Sequence, residues 1–269
     1  MLSGMRILLT GSEGFIGRVL TATLSEAGFE VIRFDATLGQ DVRDPDSVQG
    51  AMRGCQTAVH LAALTQPAPE LGAVNVLGTW NVLQAAASAG VERVICMSSV
   101  NALGILMGER HPDYLPIDDQ HPSYAGRPYS LSKWLAEEMC AGFSRETGLA
   151  TVCLRPPAVW DDAKRERVLA ERAADPEREW TPFWEYGAYL DVRDLADAVA
   201  RSIAAPLSGH HRMLLCSDRI SATAPGRELA RRLLPRTAWR GGRAYQEDPM
   251  RSLVAASLAK RLLGWSPGR

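Results

Sequence analysis

Lysine is nearly absent. Of the 30 basic residues in this 269-residue chain, only Lys133, Lys164 and Lys260 are lysines; the other 27 are arginines. Set against 31 acidic residues they leave a net charge of −1, which gives no electrostatic basis for a nucleic-acid or anionic-membrane partner. No apolar run reaches the roughly 18 residues that a membrane span needs. The opening MLSGMRILLTG enters a strand-like run without a basic leader segment or cleavage site. The five cysteines, Cys55, Cys96, Cys140, Cys153 and Cys216, form no CxxC pair. Cys96 and Cys153 sit inside apolar runs, where a free thiol acts as a small hydrophobe. The five histidines include no HExxH, so no metal site is expected. Repeats and low-complexity segments are also missing. These absences point to a cytoplasmic globular protein with reduced thiols.

What is there is an alternation. Short apolar runs at 6–11, 30–35, 57–64, 93–100, 150–156 and 211–217 read as strands, and amphipathic runs at 15–27, 46–53, 75–90, 128–147 and 193–205 read as helices. Continuous apolar strands separated by helices predict an α/β fold with a parallel sheet covered on both faces. Residues 157–190 break the rhythm. They are charged and carry Trp160, Trp180, Phe183, Trp184, Tyr186 and Tyr189, as befits either a substrate lid or a surface subdomain with its own small core.

Between the first strand and the first helix, LLTGSEGFIGRVL places Gly11, Gly14 and Gly17, with Phe15 and Ile16 opening the helix. A strand feeding a helix through glycines brings backbone N–H groups against a pyrophosphate at the positive helix end. The spacing is GxxGxxG. Asp35 ends the second strand 18 residues past Gly17, where a carboxylate accepts a ribose 2′-OH and repels a 2′-phosphate. The expected cofactor is therefore NAD rather than NADP, with Arg33 on the same strand face as the one countervailing charge.

Tyr129 and Lys133 stand at i, i+4, so on a helix they share a face. A phenol titrates near 10, and bringing one to neutrality costs about 4 kcal/mol. An ammonium about 5 Å away supplies roughly 3 kcal/mol at an effective dielectric of about 20. A helix N-terminus adds about 0.3–1 kcal/mol. A compact point charge suits that task and can also reach a ribose hydroxyl, which gives this arginine-rich chain a reason for a lysine at 133.

Gly11-x-x-Gly14-x-x-Gly17, Asp35, Asp41-Val42, HLAAL at 60–64, NVLGT at 75–79 and Tyr129-x-x-x-Lys133 together resemble the extended short-chain dehydrogenases/reductases, the NAD-dependent epimerase/dehydratase family. The resemblance implies a Rossmann-type doubly wound parallel sheet at 1–156. A small C-terminal substrate-binding lobe at 157–269 would be interleaved with the last helix and strand. It implies that Asp41 and Val42 hold the adenine edge, and that Leu61, Ala62 and Ala63 line the cofactor. Ser99 would orient the reacting oxygen beside Tyr129 as base and Lys133 as its support. Asn101 and Arg155 would join Ser99 and Tyr129 at the substrate. Asn75 resembles the superfamily's water-relay asparagine. The chain between Asp35 and Asp41 is short for the family, so a vestigial third strand is expected. Family members often dimerise through helices corresponding to 75–89 and 128–147, which implies a homodimer. Sugar-nucleotide dehydratases of the family carry an acidic pair where this chain has Val100 and Asn101, which argues against dehydration. Only 35 residues separate Arg155 from Asp191, a small lobe similar to that of the family's uronate dehydrogenases. The resulting expectation is NAD-linked oxidation or reduction of a sugar-like or polyhydroxylated small molecule. A nucleotide-sugar epimerase and a non-catalytic NAD-binding sensor are the alternatives.

Overall fold

A computed structural model of the chain describes residues 4–180 and 186–268; Phe183 and Trp184 of the aromatic stretch lie outside the described residues. β1 (Arg6–Thr10), buried from Ile7 onward, runs through the glycine turn into α1 (Phe15–Glu26) and back along β2 (Glu30–Phe34). α2 (Pro45–Met52) has Pro45 at its first position and the Asp44 carboxylate accepting the Asp46 N–H, two features that start a helix. β3 (Thr57–His60) follows. α3 (Gly78–Ala89) grows out of a π-helical turn over Ala73–Leu77 and stops at Gly90, whose φ of 68° is the left-handed geometry of a helix terminator. Next come β4 (Arg93–Met97), β5 (Tyr114–Leu115), α4 (Pro128–Thr147) and β6 (Ala150–Arg155). β7 (Ala158–Trp160), α5 (Asp162–Ala174), β8 (Tyr189–Asp191), α6 (Val192–Ala204) and β9 (His210–Leu214) lead to α7 (Gly226–Leu233), β10 (Ala238–Trp239), α8 (Ala244–Glu247) and α9 (Ser257–Leu263).

Six strands form one sheet in the order β2-β1-β3-β4-β6-β9, and β2, β1, β3, β4 and β6 pair in parallel. The chain leaves β1 first to one side and later to the other. The order therefore reverses at β1, and a crevice opens beyond the carboxyl ends of β1 and β3. The glycine turn sits at that crevice.

Several sequence-based strands are shorter or absent, among them the run at 211–217, which ends at Leu214. The run at 57–64 leaves the sheet after His60, because Asn75 takes over the backbone of Leu64, accepting its N–H at 2.8 Å and donating to its carbonyl at 2.9 Å. The run at 93–100 ends at Met97, since the Ser99 hydroxyl caps a 3₁₀ turn over Val100–Leu103. Between Asp35 and Asp41 lies a 3₁₀ turn at Ala36–Leu38, capped by Asp35 and closed by Gly39 at φ 77°. No strand forms there, and β2 is the edge of the sheet.

The chain divides into two compact units, one of Met1–Ser98, Pro128–Leu154 and Ala196–Arg212, the other of Ser99–Arg127, Arg155–Leu195 and Met213–Arg269. The division is more interleaved than a boundary at residue 156, because the long excursion after β4 joins the second unit. In the first unit Leu8, Phe34, Val48, Val82, Val94 and Leu149 build the core. Cys96, Cys140 and Cys153 pack into the same core from β4, α4 and β6 as free thiols, their sulfurs within 4.8 Å of one another. The second unit buries Leu103, Ile117, Tyr186, Leu214 and Leu253 together. Trp265 of the closing segment is fully buried there and donates to the Asp194 carbonyl at 3.0 Å. Among the described residues no helix is long and apolar enough to cross a membrane.

Candidate active site

A cavity of about 420 Å³ opens over the glycine turn. Gly11 and Gly14 form its floor, Asp35, Asp41 and Val42 one wall, and Leu61, Ala62 and Ala63 the other. Phe15, Ile16 and Gly17, on the helix just beyond, are not among the lining residues. Leu64, the last residue of HLAAL, also faces the cavity, as do Phe34, Ala36, Gln40, Arg43, Glu70 and Val74, which carried no sequence signal as site residues.

The three glycines are needed for different reasons. Gly11 has φ +71°, and a Cβ there would lie 2.8 Å from the Ala62 nitrogen. A Cβ at Gly17 would sit 2.1 Å from the Gly11 carbonyl oxygen. Both are demanded by the protein's own backbone. Gly14 is not, because its nearest protein neighbour would be the Gly11 oxygen at 3.4 Å, an ordinary contact. Gly14 faces the cavity and caps α1 with no side-chain hydrogen bond, and the first turn of that helix holds no acid. The N–H groups of the turn are spent within the protein, those of Gly11 and Ser12 on the Phe34 carbonyl and that of Gly14 on the Gly11 carbonyl, so the open donors and the partial positive charge are those of the first turn of α1, just behind Gly14. A bare backbone, unneeded by the protein itself, fits the close approach of a pyrophosphate.

Asp35 stands ready beside it. Its Oδ1 accepts the Thr37 N–H and hydroxyl, each at 2.9 Å, and its Oδ2 accepts the Glu13 N–H at 3.1 Å. Burial raises its carboxyl, but these bonds outweigh burial and hold it below the usual aspartate range. It is an ionised acceptor, as a ribose hydroxyl requires. Asp41 is ionised too, held low by Arg43, whose Nε lies 2.8 Å from Oδ2. Val42 supports the wall from the core, where its side chain leaves no room for a Cβ at Gly78 of α3.

The opposite wall is fixed by a hydrogen-bond relay invisible in the sequence. Thr10 and His60 are register partners on β1 and β3. Buried His60 has its Nδ1 2.7 Å from the Thr10 hydroxyl and its Nε2 3.0 Å from that of Thr79. Burial lowers the imidazole to about 4, so the ring is neutral. Thr79 spends its proton on the Asn75 carbonyl at 2.6 Å, so it must accept from Nε2–H. Nδ1 then accepts from Thr10, whose oxygen takes the Ala62 N–H at 3.3 Å. The chain Ala62 → Thr10 → His60 → Thr79 → Asn75 ties the cavity wall to the π-helical turn. The Asn75 amide is spent on Leu64 and on the Ser132 hydroxyl at 3.0 Å, which makes it a scaffold for this wall.

Tyr129 and Lys133 fall where their spacing predicts, in the first turns of α4, which begins with Pro128. Tyr129 is half-buried and Lys133 is buried. Lys133 Nζ lies 5.9 Å from the Tyr129 ring centre and donates to the Met97 carbonyl at the end of β4, at 2.7 Å. An ammonium has three donors, so the anchor fixes its position without exhausting it. Ser98 is committed elsewhere: its hydroxyl donates to Glu137, fully buried and paired with Arg212 at 3.3 Å.

Ser99, Asn101 and Arg155 belong to the second unit. The Ser99 oxygen accepts the Asn101 N–H at 3.1 Å, which leaves its own proton to donate. Val100 is fully buried and takes no part in any exposed acid–base pair. Arg155 is only 3% exposed. Its charge acts on Asp119, whose carboxyl is raised by burial against the pull of the Leu214 and Leu258 N–H groups and of Arg155.

A parallel sheet reversing at β1, a glycine turn and an ionised carboxylate at the end of the next strand define a dinucleotide-binding enzyme fold of the short-chain dehydrogenase/reductase type. The profile of the NAD dependent epimerase/dehydratase family matches residues 7–215, and the chain belongs to that family. It is 26% identical to a UDP-glucose 4-epimerase of Streptomyces lividans over 98% of this chain and 92% of that protein. To a uronate dehydrogenase of Pseudomonas syringae it is 24% identical over 79% of this chain and 74% of that protein. Several other matches span only about half of the relative's length, 56% for a 2-alkyl-3-oxoalkanoate reductase of Stenotrophomonas maltophilia. The fold superposes on a short-chain dehydrogenase/reductase superfamily protein of Agrobacterium tumefaciens with bound NAD. The TM-score is 0.72 at 22% identity, covering 98% of this chain and 93% of that one.

Proposed function

We propose that this protein is an NAD-dependent oxidoreductase acting at a hydroxyl or ketone carbon of a sugar-like or polyhydroxylated small molecule. The observation that carries the proposal is the presence, within one compact unit, of the Gly14 cradle and of Tyr129 with a buried Lys133, whose Nζ lies 5.9 Å from the tyrosine ring centre and is anchored on the Met97 carbonyl. NAD, when bound, supplies the acceptor for hydride. Gly11, Gly14 and the open first turn of α1 hold its pyrophosphate, and Asp35 accepts the adenosine ribose hydroxyl. Asp41 and Val42 flank the adenine. Tyr129 Oη takes the proton of the substrate hydroxyl, with the Lys133 ammonium stabilising the phenolate. The family resemblance gives Ser99, whose hydroxyl proton is left to donate, the task of orienting the reacting oxygen.

A nucleotide-sugar epimerase is the second reading, favoured by the near-complete alignment with the Streptomyces UDP-glucose 4-epimerase. One screen separates the two, namely NADH release over uronic acids, aldoses, polyols and UDP-sugars. Net NADH with a free sugar or sugar acid supports the dehydrogenase. Interconversion of UDP-sugars without net NADH supports the epimerase. Bound NAD without any turnover across the panel would leave a sensor and overturn both.

The chain is also read as a homodimer. Leu77, Trp80 and Leu131 are 48%, 47% and 37% exposed on the turn before α3, on α3 and on α4, and Trp80 packs edge-on to Phe143 at 5.0 Å. Apolar residues clustered on two neighbouring helices need a cover. The free, buried thiols fit a reducing cytoplasm.

A further inference from the structure

The residue between the glycines of the turn has a partner across the sheet. Glu13 Oε1 receives Arg33 of β2 through Nη2 at 2.6 Å and Nε at 2.9 Å, and accepts the Ser12 hydroxyl at 2.9 Å. The Glu13 N–H binds Asp35 Oδ2. Arg33 stands two residues before Asp35 on the same strand face, and its side chain is 48% exposed. It is the cation placed to meet a phosphate on the ribose 2′-oxygen, and Glu13 already occupies it. Arg43, which lines the cavity, is occupied in the same way by Asp41.

A 2′-phosphate adds a charge of about −1.5 to −2 at neutral pH. Binding it here means setting that charge against Asp35 while Arg33 and Arg43 are already neutralised by carboxylates and Arg18 is held on the Glu13 carbonyl. Bidentate recognition of a phosphate needs the planar fork of an arginine, and the fork of Arg33 faces Glu13. The Arg33 bond holds the Glu13 carboxyl below its ordinary range, so the latch stays ionised at neutral pH.

We propose that Glu13 is a specificity-determining residue for the cofactor: by holding Arg33 it denies the cavity its phosphate-binding cation and enforces NAD over NADP. The proposal rests on Asp35 meeting the adenosine ribose, and adds a second gate to the repulsion from Asp35 itself.

The test uses the full chain and measures NAD and NADP dissociation constants calorimetrically, at low and high salt. Glu13→Gln and Glu13→Ala are each expected to raise the ratio of NADP to NAD affinity about tenfold, equivalent to about 1.4 kcal/mol. The gain should shrink at high salt, because it comes from a freed charge. In the double variant Glu13→Ala/Arg33→Ala it should vanish. No gain on removing the Glu13 carboxylate overturns the proposal, as does a gain that survives without Arg33. Asp35→Ala reports on the underlying placement. If it moves neither constant, the ribose assignment fails and the gate fails with it. If it moves the ratio while the Glu13 variants do not, the assignment stands and only the gate is lost.

Discussion

Two helices begin beside charged cavities or loops, and they begin differently. α1 opens on Gly14 with no side-chain cap and no acid in its first turn. α5, in the second unit, opens on Asp161, whose carboxylate accepts the Lys164 N–H at 2.7 Å, and carries Asp162 in its first turn. Asp162 is in turn paired with Arg193, which also grips the buried Asp191 at 2.7 Å. Helix starts of the second kind are finished within the protein. The α1 start is unfinished, and its capping residue Gly14 lines a cavity. The contrast separates a structural helix end from a binding one. A ligand site shows itself where local rules of stability have been left unsatisfied.

The comparison can be broken at several points. The largest expected effect is chemical: Tyr129→Phe should lower turnover by a factor of about 10² to 10⁴ while NAD still binds. Steady-state rates with wild-type activity in that variant would remove the tyrosine from the mechanism. Next, Gly17→Ala should cost about 3 kcal/mol of stability through overpacking, whereas Gly14→Ala should fold normally and weaken NAD binding about tenfold. Equal losses of melting temperature in both variants would show that Gly14, too, serves only the fold. The His60 relay predicts a pH effect of similar size. An imidazole lowered to about 4 in the folded state takes up its proton only after the unfolded chain has done so. Its stabilising contribution is therefore complete above about pH 6.5 and is lost as pH falls toward 4, by about 3 kcal/mol. Denaturant titrations should show that loss as a difference between the wild type and His60→Gln; parallel curves would contradict a neutral buried ring. The smallest effect belongs to the finished helix. Asp161→Ala should cost about 1 kcal/mol, with NAD affinity unmoved.

Features encoded over a few consecutive residues were legible. The glycine turn, Asp35 at a strand end and the i, i+4 pair Tyr129 and Lys133 depend on local chain geometry. The structure sets each on the element its spacing predicts, with α4 running from Pro128 to Thr147. Features that need two strands in register were not. Thr10 meets His60 only because β1 and β3 align those residues, and Glu13 meets Arg33 because the turn after β1 folds back beside β2. The early end of the third strand was equally hidden, because a buried asparagine 11 residues away replaces its ladder bonds.

By itself the sequence determined the kind of protein: alternating apolar periods demand a parallel α/β sheet, and a glycine-led helix beside an acidic strand end demands a dinucleotide. Tertiary structure alone decided which polar groups are spent inside the fold and which stay open. Asn75 and Ser98 are committed to the buried Ser132 and Glu137, while Gly14 lines the cavity. The physical reason is that hydrogen bonds and charges are satisfied by whatever lies near in space, and a linear order of residues does not record that distance.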